Sequence, residues 1–136
     1  MAIMFAARTL SISIDAPPSR VYSFVSNPCN LPWWATAFCK SVSRSNDDWI
    51  VETPEGPVKI RFADKNGYGI LDHYVSPTPG VEILVPMRVV ANGSGSEVLF
   101  TMFQLPGMSV ETFAADAGMV ERDLRGLKSR LESREG

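Results

Sequence analysis

The reading of this chain turns on the stretch Thr9-Leu10-Ser11-Ile12-Ser13-Ile14-Asp15-Ala16-Pro17-Pro18-Ser19-Arg20-Val21-Tyr22. Apolar and polar residues alternate with period two from Thr9 to Ile14, the mark of a half-buried strand. Asp15 to Ser19 then reads as a helix start. Asp15 or Ala16 serves as the cap, and proline is tolerated in a first turn because its missing N–H has no partner there. Val21, Phe24 and Val25 give one turn of apolar spacing before Asn27-Pro28 ends the helix. Leu31-Pro32-Trp33-Trp34 follows as a second short helix or turn.

From about residue 38 the pattern is all strand. Candidates are Phe38–Val42, Trp49–Thr53, Val58–Phe62, Gly69–Val75, Val81–Val90 and Glu97–Leu105. Turn signals separate them: Ser45-Asn46-Asp47-Asp48, Pro54-Glu55-Gly56-Pro57, Asn66-Gly67, Pro77-Thr78-Pro79-Gly80 and Asn92-Gly93-Ser94-Gly95. About six short strands at regular intervals imply an antiparallel meander. After Pro106-Gly107 the period changes. Ser109 offers an N-cap, and apolar residues recur at Val110, Phe113, Ala117, Val120, Leu124, Leu127 and Leu131, one stripe on a long helix. Glu111 and Asp116 come early and Arg125, Lys128, Arg130 and Arg134 late, as the helix dipole favours. A short coiled-coil seam is the alternative use of the stripe, but Phe113 and Ala117 suit a seam poorly and a sheet is available to cover.

The 136 residues fit one ordinary domain, here residues 1–136. A net charge of −2 argues against a nucleic-acid binder, which would need a basic face. The apolar start Met1 to Ala7 is too short for a signal-peptide core and has no basic residue before it. No run approaches the ~20 apolar residues of a membrane span, so no integral membrane segment is expected and a cytoplasmic location is. Cys29 and Cys39 lack a CxxC spacing, and His73 is the only imidazole, so free thiols are expected and no metal site. No motif implies a cofactor. There is no GxSxG elbow and no GxGxxG after a strand, Asn92 to Gly95 reads as a hairpin turn, and Asp47-Asp48 as a solvated one.

Strand, two short helices, a strand run and a long C-terminal helix make an α+β arrangement. That order resembles the helix-grip fold of the START-like (SRPBCC) superfamily, which includes START lipid-transfer domains, plant pathogenesis-related allergens and polyketide cyclases/dehydrases. The resemblance covers about residues 8–132. It is carried by Ile12 to Tyr22, Asn27-Pro28, Trp33-Trp34 and the terminal helix. The stretches Leu71-Asp72-His73 and Met87 to Gly93 resemble the polyketide cyclase/dehydrase-like subgroup. The resemblance implies a curved antiparallel sheet wrapped around the long helix, with two short helices after the first strand and an apolar cavity between sheet and helix.

Strand parity indicates what faces that cavity. Val58/Ile60/Phe62, Ile83/Val85/Met87/Val89 and Val98/Phe100/Met102 form wholly apolar faces, leaving Lys59, Arg61, Arg88, Glu97 and Thr101 outside. Setting Arg61 opposite Asp72 as an outer charge pair puts Leu71, His73 and Val75 inside. Expected ligand-facing residues are Trp33, Trp34, Phe62, Leu71, His73, Val85, Met87, Phe100, Met102, Phe113, Ala117 and Val120. Trp33 and Trp34 have a second reading, as packing at the helix–sheet corner. Met87 and Met102 offer an adaptable lining or plain core.

His73 has three readings: a structural histidine bonded to its neighbours, a group orienting a ligand, or an acid/base catalyst. The function expected is binding of a small hydrophobic molecule, such as a lipid, an aromatic or a polyketide. The alternatives are a cyclase, dehydratase or isomerase using His73, and a protein-interaction module or homodimer, for which an outer patch around Leu99 and Phe103 would speak.

Overall fold

In the computed structural model, which describes residues 3–133, the alternating segment is strand β1 (Ala7–Ile14) and the proline-led segment is helix α1 (Pro18–Val25). Pro17, rather than Asp15 or Ala16, takes the cap position, and Pro18 begins the helix. The Asp15 N–H is held instead by Glu132 Oε2 at 2.8 Å, which ties the strand end to the far end of the chain. A 3-10 turn at Pro28–Asn30 leads into helix α2 (Leu31–Trp34).

Among the described residues seven strands follow β1, where about six were expected. After β1 come β2 (Ser41–Ser45), β3 (Asp48–Thr53), β4 (Gly56–Phe62), β5 (His73–Ser76), β6 (Ile83–Val85), β7 (Met87–Asn92) and β8 (Gly95–Phe103). They run antiparallel in the orders β1-β8-β7 and β2-β3-β4-β5-β6. The two runs join where the Leu71 N–H donates to Met87 O at 2.9 Å and the Val89 N–H to Gly69 O at 3.0 Å, giving one curved layer.

The expected strand Val81–Val90 is thus two strands, broken at Pro86. Proline has no N–H to continue a ladder, and here the chain leaves β5 for β8. Asp72 supports the break. Its Oδ1 accepts the Met87 N–H at 2.9 Å, and the Arg88 guanidinium donates to both of its oxygens at 3.1 Å. The expected Arg61–Asp72 pair is therefore absent. Arg61 lies opposite Tyr74, stacks over its ring at 4.8 Å and pairs with Glu82 at 3.2 Å. The register differs from expectation by two residues, and a shift of two leaves every side chain on its face. Leu71, His73 and Val75 accordingly remain on the inner side, with Phe62 opposite His73.

Two strand starts also move. β2 begins at Ser41 because the Phe38 and Cys39 amides are engaged in a turn, donating to Asp123 Oδ2 at 3.2 Å and Ala35 O at 2.7 Å. β5 begins at His73 because the Asn66 side chain organises the preceding loop. Asn66 accepts from the Tyr68 and Ile70 N–H groups and donates to Ile70 O.

The final helix α3 (Val110–Glu132) is capped as read: Ser109 Oγ accepts the Thr112 N–H at 3.0 Å. Its stripe packs on β1 and α2 rather than forming a seam, although Val110 in the first turn is exposed. Helix α1 packs on β7 and β8. Its Val21 and Val25 join Leu71, Met87, Val89 and Val98 in a solid core at that end. The interior left open lies toward α2, α3 and strands β3 to β6.

Candidate functional site

That open interior is a cavity of about 400 Å³. The inner sheet face supplies Val58, Ile60, Phe62, His73, Val75, Ile83, Val85, Phe100 and Met102; α2 supplies Leu31 and Trp34; α3 supplies Asp116, Met119, Val120, Asp123 and Leu124. The β3–β4 turn contributes Thr53, Pro54 and Glu55, and the approach to α3 contributes Leu105 and Met108.

Of the twelve residues expected to face a ligand, Trp34, Phe62, His73, Val85, Phe100, Met102 and Val120 line this cavity, and five do not. Leu71 and Met87 are on the right face, but α1 covers that part of the sheet and they belong to the solid core. Trp33 is exposed, with the Arg130 guanidinium 4.7 Å over its ring, whereas its neighbour Trp34 points in. Phe113 and Ala117 are outside the lining; they share a face of α3 with Glu121, which pairs with Arg8 of β1 at 3.2 Å. Phe103, expected in an outer patch, lines the cavity at the end of β8.

His73 sits at the start of β5 between two rings, with the Phe62 centroid at 5.0 Å and that of Phe100 at 6.0 Å. Its Nδ1 is 3.0 Å from Leu71 O. A carbonyl oxygen only accepts, so Nδ1 carries the proton and Nε2 presents its lone pair. Burial is the main influence on the ring and pulls its pKa below the ordinary 6.5, against the opposing pull of the Leu71 carbonyl and Asp72. The ring is a neutral acceptor, able to bind a donor or receive a proton. Trp34 is the complement: its buried Nε1–H, a donor only, has no partner among the described residues.

Three carboxylates, Glu55, Asp116 and Asp123, escaped the sequence reading of this site. Asp123 is buried and accepts the Ala37 and Phe38 N–H groups at 2.8 and 3.2 Å, clamping the segment after α2 to α3. Desolvation raises its pKa, partly offset by those two amides and by Arg122. Asp116, half-buried two turns earlier, is raised first by desolvation and then by the charge of Glu55. A signal existed. Asp116 and Asp123 are seven residues apart, each one place before a stripe residue, so they share the stripe's flank.

Among the described residues no cluster of three His, Cys, Asp or Glu side chains is placed to hold a metal ion, and no helix is long and apolar enough to cross a membrane. Both cysteines are free, Cys29 exposed and Cys39 buried.

No family profile matches the chain, and no curated protein matches it significantly. Solved structures do. The protein XoxI from Bacillus cereus superposes with a TM-score of 0.77 at 20% identity, over 96% of this chain and 99% of its own. The Aha1 dimer from Colwellia psychrerythraea gives 0.74 at 14% identity, over 96% and 99%. A START superfamily protein from Mycobacterium smegmatis gives 0.68 at 14% identity, over 93% and 97%. At such identities the likeness is one of fold.

Proposed function

From the premise that this chain has the START-like helix-grip fold, we propose that it binds a small hydrophobic molecule in the cavity between sheet and α3. The observation that carries the reading is the cavity itself. About 400 Å³ lies within the ~300–1,000 Å³ range of ligand sites, its walls are mostly aliphatic and aromatic, and its few polar groups are set at defined points. A lining this apolar gains by exchanging water for hydrocarbon, while His73 Nε2 and Trp34 Nε1 orient what enters. Of the three tryptophans only Trp34 lines the cavity. An uncharged apolar probe should therefore quench wild-type fluorescence, and Trp34→Phe should abolish most of the response. Native mass spectrometry showing neither bound nor bindable apolar ligand would overturn the reading.

A second reading makes the site catalytic, with His73 Nε2 as the general base of a cyclase, dehydratase or isomerase. The oriented lone pair favours it, since such chemistry needs little beyond a shaped pocket and one proton acceptor. Turnover left unchanged by His73→Ala would remove it. Self-association is supported only by the likeness to a dimeric structure, and light scattering on the purified protein decides it.

A further inference from the structure

The polar groups of the cavity are unevenly distributed in charge. Its ionisable lining consists of Glu55, His73, Asp116 and Asp123, with no lysine or arginine. Asp123 is engaged by two backbone amides. Asp116 and Glu55 are different: neither carboxylate has a hydrogen bond or ion pair among the described residues, although they lie near enough for Glu55 to disfavour a charge on Asp116. Asp116 is half-buried on α3 and Glu55 is exposed in the β3–β4 turn, so together they mark the rim. Two like charges at a partly desolvated rim repel each other, and a cation between them would relieve both the repulsion and the lost solvation.

His73 weighs separately against an anionic ligand. It is 7% exposed, its Nδ1–H is taken by Leu71 O, and its Nε2 has no partner among the described residues. The interior therefore offers a further acceptor and no cationic side chain. A carboxylate or phosphate ligand would meet negative charge at the rim and a lone pair inside, with Trp34 Nε1 as the one buried side-chain donor left without a partner among the described residues.

We propose that the cavity accepts an apolar amine, its hydrocarbon or aromatic body in the interior and its protonated nitrogen between Asp116 and Glu55. This rests on the ligand-binding reading of the same cavity and names the class of ligand. Amines of this kind are protonated at neutral pH.

The test is calorimetric titration of the protein at pH 7 and low salt with three probes of one shape: 4-phenylbutylamine, 4-phenylbutan-1-ol and 4-phenylbutanoate. The amine should bind about tenfold more tightly than the alcohol, and the carboxylate more weakly than either. The double variant Glu55→Gln/Asp116→Asn should lose the amine's advantage and keep the alcohol's affinity. Should that variant not fold, salt serves instead: added salt should weaken the wild-type protein's hold on the amine and leave the alcohol unaffected. Equal binding of all three probes, or an advantage that survives the double variant or high salt, overturns the amine assignment and leaves the hydrophobic-ligand reading standing. If neither the three probes nor the neutral dye Nile red binds, both fall together.

Discussion

His73 is held below its ordinary pKa of 6.5 chiefly by burial, so the unfolded chain takes up a proton that the folded chain refuses. The sign follows from linkage. Stability is independent of this group above about pH 6.5 and falls as pH drops from there toward the folded value, because the unfolded state then binds more protons. Denaturant titrations of the wild type and His73→Phe, compared from about pH 7 down to 5, should show that slope in the wild type and its absence in the variant. The cysteines divide just as sharply. Burial, then the charge of Asp123, pushes the Cys39 thiol up to about 11, whereas Cys29 is exposed. Because the thiolate is the reactive form, a disulfide reagent at pH 8 should titrate one thiol in the native protein and a second only in denaturant. Two rapidly reacting thiols would contradict the buried placement of Cys39. Neither result could be drawn from composition, since Cys29 and Cys39 look alike in a sequence and differ only in what covers them.

Among the elements, α3 makes opposite predictions at two of its glycines. Glycine inside a helix costs about 1 kcal/mol against alanine. At Gly118 an added Cβ would have Arg122 Nη1 as its nearest neighbour, at 3.7 Å, so Gly118→Ala should stabilise by roughly that amount. At Gly126 the same Cβ would lie 2.7 Å from the Trp34 carbonyl oxygen, where α2 rests on α3. Overpacking of this kind costs roughly 1–3 kcal/mol and outweighs the propensity gain, so Gly126→Ala should lower the melting temperature while Gly118→Ala raises it. The kink at Pro86 makes a further prediction. Asp72→Ala would strand the Met87 N–H and release Arg88, at a cost of roughly 1–3 kcal/mol in denaturant unfolding. The period of α3, its Ser109 cap and the alternation of β4 and β8 were legible because they are local. The Pro86 break was not, because proline permits either a bulge or a change of partner and only the neighbouring strands choose.

For the molecule as a whole, the cavity exists because the three helices cover different parts of one curved sheet. Helix α1 seals the β7–β8 end with Val21 and Val25, while α2 and α3 span the rest without filling it. A ligand that binds only the folded state adds its binding energy to stability. An apolar ligand at about a hundred times its Kd should therefore add about 2.7 kcal/mol, visible as a higher Tm in a thermal melt. A melt unmoved by a ligand that calorimetry shows to bind would mean that the unfolded chain holds it equally well.

By itself the sequence determined the order of strands and helices, apart from the division of Val81–Val90 at Pro86 and the starts of β2 and β5, and with it the apolar faces of β4 and β8 and the helix-grip order. Those properties follow from periods of 2 and 3.6 residues and from capping chemistry, all set within a few neighbours along the chain. It determined the inward side of His73 even with the wrong partner for Arg61, since a register shift of two preserves parity. Only the tertiary structure decided which inward residues meet empty space and which meet another element. It separated Met87 from Phe100, Trp34 from Trp33, and Ala117 from Asp116. Those distinctions depend on where remote segments cross the sheet and on how far α3 is rotated about its axis, and neither is fixed by local periodicity.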